Sequence, residues 1–255
     1  GFSLHNNDDE ALMLHKRLAG KLNIGSKVAA NSKKSLSLLY TPGVAAPCLK
    51  IAEDEARSYE YTGRGNYVAV VTDGSAVLGL GNIGPQAGMP VMEGKCLLFS
   101  EFSGINAVPL CIGTQNVEEI IRFVQLLEPS FGGINLEDIS GPRCFEIERR
   151  LRETMHIPVF HDDQHGTAII VLAGIINALQ FVNKPAASAK VVINGGGAAG
   201  LSIANLLLEY GIKDIIICDI HGALCEGDAD SNPAQEKMAE KTNIRHEHGD
   251  LAHIL

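Results

Sequence analysis

Lys190-Val191-Val192-Ile193-Asn194 runs straight into Gly195-Gly196-Gly197-Ala198-Ala199-Gly200, and the reading of this stretch decides the fold. The apolar, β-branched run predicts a buried strand. Residues 199–210 carry apolar side chains at helical spacing, and residues 215–218 predict a second strand that Asp219 closes. A glycine triplet spaced G-x-G-x-x-G is weak by itself. A strand before it, a helix after it and an acid ending the next strand supply the context that a dinucleotide-binding turn requires. Gly195 permits the tight turn, Gly197 lets backbone approach a pyrophosphate, and Gly200 lets helix and strand pack closely. Gly196, Ala198 and Ala199 complete a loop whose helix N-terminus offers free N–H groups to phosphates. Asp219 suits a ribose with free hydroxyls and repels a 2′-phosphate. Ile220-His221-Gly222 brings no Arg or Lys to offset that repulsion, so the expected cofactor is NAD rather than NADP.

Upstream of this turn, strands alternate with helices. Residues 67–72 (YVAVVT), 107–112, 133–136 and 159–160 read as short buried strands. Residues 11–22, 117–127, 144–154 and 167–181 read as helices, and 79–90, rich in Gly and Pro, as loop. This order predicts an α/β chain with a mostly parallel sheet. It divides into a substrate and metal domain, residues 1–162, and an incomplete Rossmann-type domain, residues 163–255, with only a helical stretch at 233–242 beyond the second strand.

Two acidic pairs fall at the carboxyl ends of expected strands, Glu137-Asp138 and Asp162-Asp163. Ligands gather at such ends in parallel sheets. Either pair alone reads as solvated acids, but together, beside a cofactor turn, they suggest oxygen ligands for Mg²⁺ or Mn²⁺. His161 and His165 stand four apart, a spacing that suits zinc on a helical face. The helix expected from Thr167 starts after both, which argues against zinc. Lys95 follows the glycine-rich loop. It reads either as surface charge or, near a metal and a cationic cofactor, as a base of lowered pKa. Tyr40 lies in the Tyr40-Thr41-Pro42-Gly43 loop.

The formal charge of −9 disfavours nucleic acid as a partner. No pair among the six cysteines has C-x-x-C spacing and none clusters with histidines, which points to reduced, mostly buried thiols in a cytoplasmic protein. Residues 1–10 are polar and acidic, unlike a signal peptide, and Gly1 in place of Met suggests a processed start. The most apolar stretch, residues 168–182, is expected to be too short and too interrupted to span a bilayer.

Five stretches in one order carry a family resemblance. They are residues 39–45 (LYTPGVA), residues 71–75 (VTDGS) with 78–82 (LGLGN), residues 93–95 (EGK), residues 135–138 (NLED) and residues 160–168 (FHDDQHGTA). The chain resembles the malic enzyme family in its shorter bacterial-type form from about Leu12 to its end. The resemblance implies oxidative decarboxylation of malate to pyruvate and CO2, with Tyr40 as general acid and Lys95 as general base. Glu137, Asp138 and Asp163 match the metal ligands, and Asp162 matches a carboxylate that supports the lysine. The metal is implied as Lewis acid and the nicotinamide as hydride acceptor. Longer family members carry an Arg where Ala76 stands here, a difference that fits the bacterial type and leaves open which residue meets the substrate carboxylate. Members continue well past residue 255, so a C-terminally truncated chain is expected, and a homo-oligomer, dimer or higher, is implied. Two alternatives stay open at this point. One is a metal-dependent decarboxylase of oxaloacetate or malate with no net redox; the other is a non-catalytic fragment.

Overall fold

The computed structural model describes residues 8–228 and 231–255; most of the acidic start read above, residues 1–7, lies outside the described residues. The chain forms two compact units. One holds the residues up to Asn135 together with Leu151–Val159, and the other holds Leu136–Arg150 and Phe160–Leu255.

The first unit opens with helices α1 (Asp8–Leu18), α2 (Lys33–Leu39), α3 (Ala45–Glu53) and α4 (Ser58–Tyr61). The chain then alternates through β1 (Tyr67–Thr72), α5 (Pro85–Ser103), β2 (Asn106–Cys111), α6 (Val117–Leu127) and β3 (Gly133–Leu136). After α7 (Arg143–Thr154) comes β4 (Val159–His161), and the parallel sheet has the order β2-β1-β3-β4. β1 and β2 pair in register from Tyr67 opposite Asn106 to Thr72 opposite Cys111. Helix α6 begins where the sequence demands. Asn116 caps it by accepting from the N–H groups of Glu118 (2.9 Å) and Glu119 (3.1 Å), and Ile120, Ile121 and Val124 turn one face inward.

Two boundaries differ from the sequence reading. Residues 85–90 are the start of α5 rather than loop, and Lys95 sits within that helix. Pro85 fits the first turn, where no N–H is needed. Pro90 lies inside the helix, and its carbonyl accepts from Lys21 Nζ at 2.7 Å. Burial overrides the poor helical propensity: Met92 and Cys96, four apart, pack with Val70 of β1. Likewise α8 (Asp162–Phe181) starts at Asp162, not Thr167. Acidic residues in a first turn oppose the helix dipole favourably, so strand β4 passes into helix without a loop. The helix is therefore 20 residues long. By length and composition alone it could cross a membrane, which corrects the expectation of a span too short to do so.

In the second unit β5 (Lys190–Asn194), α9 (Ala198–Tyr210) and β6 (Asp214–Asp219) form the expected strand–helix–strand unit. β5 and β6 are parallel, from Lys190 opposite Asp214 to Asn194 opposite Cys218. A two-residue β7 (Gly222–Ala223) pairs antiparallel with β6, and α10 (Pro233–Ala239) and α11 (Leu251–Ile254) follow. Alternation along β6 sorts its side chains between two faces. Ile215 and Ile217 join Leu201, Ala204 and Leu207 of α9, against which Leu172, Ile175 and Leu179 of α8 pack. Ile216 and Cys218 face Ile254 of α11. Leu207 is fully buried in the first cluster. Leu207→Ala is expected to cost about 2–5 kcal/mol, read as a lowered urea midpoint; an unchanged midpoint would show that this cluster does not hold the unit together.

Candidate metal centre and dinucleotide turn

Glu137 and Asp138 follow the last residue of β3, and both are 5% exposed. Asp138 adopts φ +53°, a left-handed conformation that Asp tolerates better than most residues. Asp162 and Asp163 occupy the first turn of α8. A side chain on Gly166 would collide with the Asp162 carboxylate, which lies back over that turn. Ligand oxygens of Glu137, Asp138 and Asp163 lie within 4.8 Å of one another. Among the described residues this is the one group of three or more His, Cys, Asp or Glu placed to share an ion.

Glu148, buried on α7, accepts from the backbone N–H of His161 (3.3 Å) and meets His165 Nε2 at 2.6 Å. It thereby ties α7 to the β4–α8 junction that carries Asp163. His161 is fully buried, with its Nε2 3.6 Å from Asp163 Oδ2. Burial holds its pKa below the ordinary value against the opposing pull of Asp163 and Glu148. Burial, with the Asp163 charge next, pushes the Cys144 thiol up to about 12, so it remains a neutral thiol at pH 7. The amide nitrogen of Gln164 is buried and makes no hydrogen bond within the protein.

Of the two histidines whose spacing suits zinc, His165 meets Glu148 through its ring and His161 donates its backbone N–H to the same carboxylate, and neither belongs to the ion-sharing group. Tyr40 and Lys95 belong to the first unit, on separate elements. Tyr40 is the C-cap of α2, with its N–H on Leu36 O, and is 72% exposed; Lys95 is half-buried on α5.

At the glycine turn, Gly195 has φ +131° and donates to Cys218 O at 2.7 Å. A Cβ on Gly200 would strike the Gly195 carbonyl, so only glycine fits. Gly197 caps α9 with no side-chain hydrogen bond and has open space where a Cβ would stand. The first N–H groups of a 13-residue helix are therefore left facing a clear approach. Gly196 is buried, Ala198 and Ala199 are half-buried, and Asp219 ends β6 with Oδ1 accepting from His221 N–H at 2.7 Å. Glu148 carries no local sequence signal, and Gln235, locally the N3 partner of the Asn232 cap, also contacts the distant Gly196 and Asp219.

Glu148→Leu would strand the His161 N–H and the His165 ring. The expected loss is about 1–3 kcal/mol, measured by urea unfolding; a midpoint equal to the parent's would remove Glu148 from the account.

The sequence model described as "Malic enzyme, N-terminal domain" matches residues 20–152, and that described as "Malic enzyme, NAD binding domain" matches residues 164–254. The Bifunctional malic/malolactic enzyme of Bacillus subtilis is 53% identical over 97% of this chain and 60% of its own length. The NAD-dependent malic enzyme of Geobacillus stearothermophilus is 49% identical over 100% of this chain and 53% of its own. The chain thus spans between half and two thirds of the length of these relatives. Among solved structures, the NAD-dependent malic enzyme of Thermotoga maritima superposes with a TM-score of 0.92 at 50% identity, covering 96% of this chain and 66% of that one. With one domain model covering more than half of the sequence and the second most of the remainder, the chain belongs to the malic enzyme family.

Proposed function

We propose that the protein oxidatively decarboxylates malate to pyruvate and CO2, reducing NAD and requiring Mg²⁺ or Mn²⁺. The observation that carries this reading is the convergence of Glu137, Asp138 and Asp163 within 4.8 Å, in the same compact unit as the glycine turn and Asp219. Three hard oxygen donors, two of them buried, fit a small divalent cation and leave positions for substrate and water. Once bound, the cation would supply Lewis acidity toward the substrate C2 oxygen, and the dinucleotide a hydride acceptor.

The chain's own residues handle the protons and the binding. Lys95 takes the proton of the C2 hydroxyl, and Tyr40 delivers one to C3 after CO2 departs. The pyruvate so formed carries no extra proton, and one hydride has moved to NAD. Asp162 supports the base. Gly195, Gly196, Gly197, Ala198, Ala199 and Gly200 cradle the pyrophosphate, and Asp219 takes the ribose hydroxyls, favouring NAD over NADP. On this reading residues 1–162 supply the substrate-binding part and 163–255 the dinucleotide-binding part, while the three proposed ion ligands share the compact unit of the glycine turn. The protein works in the cytoplasm as a homo-oligomer, dimer or higher.

The name of the Bacillus subtilis relative, malic/malolactic, supports a second reading, decarboxylation of malate without net redox. Incubating the chain with L-malate, Mn²⁺ and NAD separates the readings. Pyruvate and NADH should appear together, and Lys95→Ala should lower their rate by about 10²–10⁴-fold. CO2 without NADH favours the second reading. Equal rates in Lys95→Ala remove that residue from the chemistry. Bound Mn²⁺ and NADH with no product of either kind would make this stretch a binding fragment rather than a catalyst.

A further inference from the structure

We propose that Gln235, at the start of α10, is a specificity-determining residue of the dinucleotide site. It holds the Asp219 carboxylate in place without neutralising it, so that a ribose bearing free hydroxyls is accepted and one bearing a 2′-phosphate is refused. The inference rests on the dinucleotide reading above.

Gln235 is 8% exposed, and its amide spends its full hydrogen-bonding capacity. Oε1 accepts from the backbone N–H and from the Nδ2 of Asn232, both at 2.9 Å. Nε2 donates to the Gly196 carbonyl at 3.1 Å and to Asp219 Oδ2 at 3.3 Å. Two donors on one side and two acceptors on the other leave a single sensible orientation of the amide. Asn232 is itself fixed as the N-cap of α10, with Oδ1 accepting from the N–H groups of Ala234 and Gln235. A chain of hydrogen bonds therefore runs from the cap of α10 through Gln235 to the glycine turn and to the acid that ends β6.

The consequence for Asp219 is geometric and electrostatic. One oxygen is held by His221 N–H (2.7 Å) and the other by Gln235, so the carboxylate is set in one orientation. Each oxygen keeps a lone pair for a ribose hydroxyl. Both donors are neutral, so the full negative charge survives to repel a phosphate. An Arg or Lys here would orient the acid equally well and cancel that charge. The space is also closed around the pair. A Cβ on Gly196 would come within 2.9 Å of Gln235 Nε2 and 3.2 Å of Asp219 Cβ, so the turn, the acid and the amide form one surface.

The test is equilibrium binding of NADH and NADPH, followed by nucleotide fluorescence, to the 255-residue chain and to Gln235→Leu and Gln235→Lys. The parent should bind NADH more tightly. Gln235→Leu should shrink the NADH-over-NADPH ratio by about tenfold, the worth of one hydrogen bond to a charged group. Gln235→Lys should shrink it further by tightening NADPH. A residue that merely caps α10 would lower stability and leave the ratio alone, so a ratio unchanged in both variants overturns the proposal. Failure of the parent to bind either nucleotide overturns the dinucleotide reading itself and the proposal with it.

Discussion

Carboxylate oxygens held within 4.8 Å of one another repel by about 3–4 kcal/mol per ionised pair at an effective dielectric of 20. Glu137 and Asp138 are almost withdrawn from water, so solvent does little to relieve them. Asp163 gains from its place in the first turn of α8, but a helix terminus returns only about 0.3–1 kcal/mol. A bound cation would relieve that repulsion, and holding one is the role proposed for this arrangement of three carboxylates. The local backbone is shaped to keep it: Asp138 takes a left-handed conformation, β4 enters α8 without a loop, and Glu148 pins that junction from α7.

The glycine turn obeys the opposite electrostatics. There the protein presents positive ends of N–H groups and one deliberate negative charge. Gly195 takes φ +131°, which L side chains rarely adopt, a Cβ on Gly200 would strike the Gly195 carbonyl, and α9 is left without a side-chain cap. Asp219 is the counterweight, held by His221 and Gln235. The proposed cation site and the proposed dinucleotide turn fall in one compact unit, each built from short-range groups. A net charge of −9 says little about either.

Much of this was legible in the sequence for a physical reason. Strand–turn–helix–strand geometry at residues 190–219 is local, and glycine spacing reports it directly. The acidic pairs were found because strand ends are visible as apolar runs. Helix starts were harder. Pro90, Gly88 and Gly94 disguise α5 as loop, and only the packing of Met92 and Cys96 on β1 explains why it is helical. The first turn of α8 is hidden because residues 162–166 are polar or glycine and show no apolar helical spacing. The contacts of Glu148 and the long-range contacts of Gln235 are not legible in the sequence. The partners concerned are 13 and 17 residues away for Glu148, and 16 and 39 for Gln235 beyond its local bonds to Asn232, and nothing in the neighbouring sequence announces such contacts.

The central claim is that three carboxylates from two strand ends form one cation site. The most direct measurement is a Mn²⁺ titration of the 255-residue chain followed by electron paramagnetic resonance, repeated with Glu137→Gln and Asp163→Asn. The account predicts one Mn²⁺ per chain, bound at least about tenfold more weakly in either variant, a loss expected when a direct ligand is removed. It also predicts that the metal-free variants are no less stable than the parent, because one repulsive pair has been relieved. Mn²⁺ bound equally well by all three proteins, or by none, would contradict it.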